Sequence, residues 1–149
     1  SVFDSEDHMS TEESKTIARR YITVILNRRD IDALLQCFSE DSVDHSAPPG
    51  VPAGLAGIEQ WFRMFFTGFP DAEAEIHDMV AEGDLVWHRG LFRATNSGEF
   101  LGRPPTGNRI TVPVMEMNRI KDNKIMEHWG GIDMYMFMQQ LGVIPTPGG

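Results

Sequence analysis

The feature of this sequence that most constrains its fold is the order in which two kinds of hydrophobic periodicity appear. Three segments with apolar residues on one helical face come first, over residues 10–28, 30–38 and 55–67. Segments with strand-like alternation follow, from residue 72 to residue 133. This order indicates an α+β fold with helices on one face of an antiparallel sheet. We therefore predict a curved, cone-shaped sheet whose concave side carries three helices that enclose a pocket.

Local signals mark several boundaries of these elements. The run Ser10-Thr-Glu-Glu13 is a capping box that begins the first helix, and Gly68 ends the third. Tight turns are predicted at Glu82-Gly-Asp84 and at Lys121-Asp-Asn-Lys124. The intervening segment 39–54 is typical of a loop, with a short strand around Val43–His45.

The chain length fits one domain. With 149 residues it can bury one hydrophobic core, which we place at residues 10–145. Residues 1–9 are expected to be a disordered extension or a leftover of cloning, and residues 146–149 a flexible tail.

Composition excludes several classes of partner. The formal net charge of −9 argues against nucleic acids and anionic membranes, because both bind positively charged surfaces. No apolar run approaches the roughly 18 residues that would span a bilayer. The single cysteine, Cys37, excludes an internal disulfide, and together these properties predict a cytoplasmic protein.

The end of the last predicted strand carries a candidate catalytic carboxylate. Strand alternation places Trp129, Gly131 and Asp133 on one face, in the order bulky, empty, acidic. If this face lines a pocket, burial should raise the pKa of Asp133 and suit it to be a general base or acid. Asp133 also precedes the helical segment 134–141, so a helix N-cap is an equal alternative, and the two roles can coexist.

The other candidates would bind a hydrophobic ligand. His45 is expected at the pocket rim, where it could assist Asp133. On the strand before the last turn, either Glu116 or its two methionine neighbours face the hollow, but not both. No metal-binding motif is present, so we expect neither a metal nor a cofactor. The predicted ligand-binding residues are Trp61, Phe65, Phe69, His88, Met115, Met117, Trp129 and Met134.

Several short motifs together resemble the SnoaL-like polyketide cyclase family. They are Phe69-Pro-Asp71, Glu82-Gly-Asp84, Gly102-Arg-Pro-Pro-Thr-Gly107, Lys124-Ile-Met-Glu-His-Trp-Gly-Gly-Ile-Asp133 and Gln140-Leu-Gly142. The resemblance runs from about Ser10 to Pro145. It implies a cone-shaped α+β barrel of the nuclear-transport-factor-2-like kind.

The resemblance also implies a chemistry. Such cyclases close a ring by intramolecular aldol condensation without metal or cofactor, using an Asp similar in position to Asp133. The pair Asp44-His45 is similar to a recurrent family feature. Met115 and Met117 depart from the polar residues expected on the facing strand, which puts an anthracycline-type substrate in doubt.

Three functions therefore remain open from the sequence. The first is cofactor-free acid–base catalysis on a hydrophobic carbonyl compound. The second is isomerisation or epoxide hydrolysis on the same fold. The third is a non-catalytic ligand-binding domain, in which Asp133 is only a helix cap. In each case an exposed apolar face of the sheet predicts a homodimer or homotetramer.

Overall fold

The computed structural model describes residues 10–148, so the extension predicted for residues 1–9 lies outside the described residues. A π-helical turn, Thr23–Asn27, prolongs the first helix. No helix of the described chain combines the length and apolarity needed to cross a membrane. The elements, in chain order, are α1 Thr11–Ile22, α2 Ile31–Gln36, β1 Phe38–Asp44, α3 Gly54–Gly68, β2 Glu73–Glu82, β3 Leu85–Thr95, β4 Arg109–Lys121, β5 Lys124–Ile132 and α4 Met134–Leu141.

The five strands form one curled sheet in the order β1-β5-β4-β3-β2. The predicted α+β fold is confirmed, and β2 to β5 are antiparallel as expected. The prediction of a wholly antiparallel sheet is wrong for β1, which runs parallel to β5. This strand was expected only near Val43–His45, because the polar run Ser39-Glu-Asp41 at its start hides the strand pattern.

The helices begin where the sequence predicts. The Ser10 hydroxyl accepts a hydrogen bond from Glu13 N at 3.1 Å, and Asp30 caps α2 through Ala33 N, also at 3.1 Å. Each cap satisfies a backbone donor that the first helical turn leaves free, and such a cap contributes about 1 kcal/mol.

An aromatic cluster fills the end of the fold where α3 and α4 meet. Its ring centroids lie 5.0–6.2 Å apart between neighbouring members. All five members are at most 5% exposed, so this end of the cone is solid core. The members are Phe65, Phe69, Phe92, Phe100 and Phe137.

The faces of the sheet are set by strict alternation in β4 and by one irregularity in β5. In β4, every second residue from Ile110 to Ile120 is buried against the helices. In β5, Met126 is an extra residue, because Ile125 pairs with Ile120 while Glu127 pairs with Arg119. This β-bulge lets Ile125 and His128 both point inward although they are three residues apart.

Candidate functional site

An interior cavity of about 310 Å³ lies between the helices and the concave face of the sheet. It is bounded by α1, β1, the loop 47–53, α3 and the inner faces of β4 and β5. Most of its wall is apolar, including Trp61 and Phe62 of α3. Its polar wall residues are Tyr21, Ser42, Asp44, Glu116 and His128.

Glu116 is a carboxylate buried in this wall. It is 8% exposed, and its Oε2 lies 3.2 Å from Nε2 of the buried His88, the residue paired with it on β3. Burial alone would raise the pKa of Glu116. Contact with His88 and the charges of His128 and His88 outweigh burial, so the pKa of Glu116 lies below its ordinary value of 4.5. A carboxylate is thus held ionised at neutral pH in a wall where water is scarce.

His128 is oriented by a cross-strand partner. It pairs with Asn118 of β4, and its Nδ1 lies 2.8 Å from Asn118 Oδ1. Because a carbonyl oxygen only accepts, this contact keeps a proton on Nδ1 of His128.

Tyr21 enters the cavity from the last turn of α1. Its ring is 3% exposed and packs edge-on against Phe38, with centroids 5.3 Å apart at 85°. Burial and the charges of Glu116 and Asp44 hold the pKa of the Tyr21 phenol well above its ordinary value of 10.0. Tyr21 therefore remains a neutral hydroxyl.

Buried polar atoms without hydrogen-bond partners concentrate around this wall. Within the described chain they include Ser42 Oγ, both ring nitrogens of His88, Glu116 Oε2 and Asn118 Nδ2. The 3.2 Å approach of His88 to Glu116 is an ion-pair distance that is not aligned as a hydrogen bond. Each such atom costs about 1–3 kcal/mol unless a water or a ligand pairs with it, so this wall is suited to bind polar groups.

Asp133 lies at a second, more open groove of about 580 Å³. Trp61 lines both the groove and the interior cavity, and Met115 and Met134 line only the groove. Asp133 is exposed, and its Oδ1 accepts a hydrogen bond from Met136 N at 3.0 Å. Of the two roles that the sequence left open, this contact favours the N-cap. A catalytic role for Asp133 remains a prediction.

Trp129 and Met117 were predicted in the cavity wall and His45 at its rim, but none of the three lines the cavity. Trp129 pairs with Met117 across the ladder, and both alternate away from Glu116 and His128, so they lie on the outer face of the sheet. His45 stacks on Trp129 with centroids 4.7 Å apart, and its Nε2 lies 3.1 Å from Glu127 Oε1. The bulge at Met126 is the physical reason, because strict alternation from the buried Ile125 would have turned Trp129 inward.

The remaining predicted residues divide between core and cavity. Trp61 lines the cavity as expected. Phe65 and Phe69 belong to the aromatic cluster, so their predicted place in the cavity wall is wrong. His88 lies behind Glu116 and touches it without lining the cavity. Met115 is 56% exposed and faces outward with Met117, so its predicted place in the interior pocket is also wrong.

Sequence reasoning missed the polar wall of the cavity. It missed Tyr21 because an aromatic residue on an amphipathic helix is typical of core. The signal for Glu116 and Asn118 was present in β4, where Val112, Val114 and Ile120 share their parity. Assigning Glu116 and Asn118 to the same buried face as these three apolar residues would have placed them inside the fold. Residues 10–148 contain no group of three or more His, Cys, Asp or Glu side chains arranged to hold a metal ion.

Comparisons with known proteins agree with this architecture. The model of the SnoaL-like polyketide cyclase family matches residues 15–141. The chain therefore belongs to the SnoaL-like polyketide cyclase family.

Individual relatives are moderately similar. Aklanonic acid methyl ester cyclase DnrD of Streptomyces peucetius is 26% identical over 118 residues, which span 77% of this chain and 79% of that protein. The crystal structure of AclR, a putative hydroxylase from Streptomyces galilaeus, has a TM-score of 0.81 and 31% identity, covering 92% of this chain and 85% of the other. IdmH, a putative polyketide cyclase from Streptomyces antibioticus, has a TM-score of 0.74 and 33% identity, covering 87% and 99%.

Proposed function

We propose that this protein is an acid–base catalyst of the cyclase type that acts on a hydrophobic carbonyl compound bound in the interior cavity. The observation that carries the proposal is the ionised carboxylate of Glu116, buried in the wall of a largely apolar cavity. Burying a charge is costly even beside a histidine, and a buried carboxylate in a cavity wall is a candidate functional group. The cavity volume of about 310 Å³ is at the lower end of the range for small-molecule sites.

The proposed reaction is the ring-closing addition step of an intramolecular aldol condensation, without loss of water. Glu116 removes a proton from a carbon beside a carbonyl group, and the electron pair of the broken C–H bond forms an enolate. The enolate carbon bonds to a second carbonyl carbon of the same molecule. The alkoxide so formed takes the proton back from Glu116, which returns to its ionised form. Protons and electrons balance within the substrate and Glu116 alone.

The surrounding residues support this role for Glu116. The contacts that lower the pKa of Glu116 keep the carboxylate ionised, and so able to accept a proton, before substrate binds. The apolar wall formed by α3 orients the substrate and excludes water. The match to the SnoaL-like polyketide cyclase family and the similarity to the cyclase DnrD favour ring closure over other uses of the same base.

A second candidate is ligand binding without catalysis. The capping hydrogen bond from Met136 N to Asp133 favours it, because that carboxylate is engaged in holding α4. Isomerisation, which needs the same proton abstraction, and epoxide hydrolysis are the further reactions that a substrate screen would distinguish.

The test compares two isosteric variants, Glu116→Gln and Asp133→Asn, on aryl diketones and on any other substrate that the wild type cyclises. Glu116→Gln should lower kcat by about 100-fold or more, the order expected for loss of a general base. Asp133→Asn should retain near-normal kcat and stability, because Asn caps a helix about as well as Asp. Binding without turnover by the wild type would support the second candidate. The opposite ranking of the two variants would return catalysis to Asp133, with His45 as its neighbour.

The proposal includes assembly into a homodimer or a larger homo-oligomer through the outer face of the sheet. An apolar row crosses four strands there, formed by Val80, Trp87, Met117 and Trp129, each paired with the next. Val80 is 57% exposed. Contiguous apolar surface of this kind is typical of a protein interface. We name these four residues the outer row.

A further inference from the structure

We propose that Tyr21 is a further catalytic residue, whose hydroxyl donates a hydrogen bond to the substrate carbonyl oxygen and holds the negative charge that this oxygen gains when Glu116 removes a proton. The inference rests on the proposed function, since it takes the interior cavity as the ligand site and Glu116 as the base. It deepens that function by assigning the group that stabilises the enolate.

The position of Tyr21 supports this role. The residue lines the same cavity as Glu116 and His128, although it comes from a helix and they come from the sheet. Its ring is 3% exposed and is fixed by its edge-on contact with Phe38. Burial and neighbouring charges account for the raised pKa of its phenol, with no contribution from a hydrogen bond to a described residue. The hydroxyl is therefore available to a ligand.

The electrostatics of the wall also fit. Tyr21 feels the charges of Glu116 and Asp44, so these groups lie within effective electrostatic range. When Glu116 accepts a proton it becomes neutral, and its charge moves to the substrate oxygen. Because the phenol stays neutral, it stabilises this oxyanion as a hydrogen-bond donor. In a cavity that excludes water, one preorganised donor of this kind contributes far more than it would in solvent.

The arrangement defines the ligand class. The donor on α1 and the base on β4 require a ketone or ester oxygen directed at Tyr21 and an acidic C–H directed at Glu116. Most of the rest of the ligand must be apolar, because Val51, Ile58 and Trp61 form part of a remaining wall that is mostly apolar, with Ser42, Asp44 and His128 as its other polar residues.

The test uses acetonaphthone, an apolar aryl ketone, carrying a ¹³C-labelled carbonyl, and the variant Tyr21→Phe, which keeps the ring and removes only the donor. The infrared carbonyl stretch of acetonaphthone should lie at lower frequency on the wild type than on Tyr21→Phe. With any substrate that the wild type turns over, kcat should fall about 100-fold while KM changes little. The matched control is Tyr135→Phe, since Tyr135 is 61% exposed on α4 and should leave both readouts unchanged.

Equal carbonyl frequencies on the wild type and on Tyr21→Phe would overturn the inference. Wild-type turnover by Tyr21→Phe together with an inactive Glu116→Gln would also overturn the inference, but it would leave the proposed function standing. A shifted frequency on a wild type that turns nothing over would count against the proposed function while retaining the hydrogen bond. Failure of acetonaphthone to bind would overturn both. If Tyr21→Phe does not fold, the wild-type complex is compared with acetonaphthone in hexane, and an unshifted stretch overturns the inference.

Discussion

The inner and outer faces of β4 and β5 are built from alternate residues of the same two strands, yet they carry opposite kinds of polarity. The inner face, against the helices, holds Glu116, Asn118 and His128 in nearly complete burial. The outer face holds Met117 and Trp129, apolar and partly exposed. At these positions the usual partition between core and surface is reversed, although the rest of the inner face, at Ile110, Val112, Val114, Ile120 and Ile125, is apolar core. This local inversion supports our proposals that the inner face binds polar groups of a ligand and that the outer face pairs with a second copy of the chain.

The largest effect is expected from placing a charge on the outer face. Trp87→Glu puts a carboxylate in the middle of the outer row, so the dimer dissociation constant should rise about 100-fold or more. Light scattering should then give the mass of one chain, 16.8 kDa, at concentrations where the wild type gives twice that mass or more.

The matched control is Tyr135→Glu, which places the same charge on an exposed aromatic position of α4 and should leave the dimer intact. A wild type that scatters as a single chain at micromolar concentration would contradict the role given to the outer face.

An intermediate effect is expected from making the inner face apolar. Asn118→Leu removes a buried amide nitrogen that has no hydrogen-bond partner, which should stabilise the fold. It also leaves His128 Nδ1 without its hydrogen-bond acceptor, which should destabilise the fold by a similar free energy. Stability should therefore stay within about 1 kcal/mol, while turnover falls about 10-fold because His128 loses its fixed tautomer. Nitrogen-15 NMR of the imidazole should show the proton on Nδ1 in the wild type and a mixture of tautomers in the variant.

Met117→Leu is the outward-facing counterpart and should change neither turnover nor the imidazole spectrum. A wild-type His128 with its proton on Nε2 would show that Asn118 does not select the tautomer. A large loss of stability with normal turnover per folded molecule would show that Asn118 is simply structural.

The smallest effect is expected in the dependence of stability on pH. The folded-state pKa of Glu116 is lowered by its histidine contacts, and that of Glu127 on the outer face is lowered by His45 and Arg119. A lowered folded pKa contributes stability that is present above the unfolded value of 4.5 and is lost as pH falls through the folded pKa. Urea unfolding between about pH 6 and about pH 3 should therefore depend less on pH in Glu116→Gln and in Glu127→Gln than in the wild type.

The effect of salt on unfolding distinguishes the contribution of Glu116 on the inner face from that of Glu127 on the outer face. Since Glu127 is exposed to solvent, about 1 M salt should remove most of its contribution, while the buried pair of Glu116 and His88 should keep its own. Equal sensitivity of both variants to salt would mean that the inner carboxylate is not shielded from solvent.

Much of the fold could be predicted from the sequence, because its signals are local. Capping residues such as Ser10 and Asp30 and the helical periodicity placed α1, α2 and α3 within a few residues of their observed bounds. The turn between β4 and β5 was also predictable, since Asp122 and Asn123 tolerate the positive φ angles of 51° and 61° that a two-residue hairpin demands. The parallel pairing of β1 was missed because no local pattern encodes the partner of a strand.

The candidate site was much less predictable, because it depends on which face of the sheet meets the helices. Strand alternation placed Trp129 and Asp133 on one face, which was interpreted as the wall of the pocket. The sequence prediction placed the cavity on the face of β5 that carries Trp129, whereas the structure places it on the opposite face. In a regular strand, an aromatic residue followed by a glycine on one face is typical of a pocket wall. The extra residue at Met126 changes that assignment and has no signature in composition or hydrophobicity.

The bulge at this single extra residue reverses which side chains face inward in the rest of β5. Removing Met126 would leave a regular ladder in which Ile125 and His128 still face inward and Trp129 still faces outward, because Glu127 would follow Ile125 directly in the outward position. A strand that kept Met126 but lost the bulge would instead turn the indole of Trp129 into the cavity and the imidazole of His128 out of it, as long as Ile125 keeps its place. Such a change of pairing would alter chemistry and assembly together, although no amino acid would have been substituted. In this protein the pairing of one strand carries information that the identity of its residues does not.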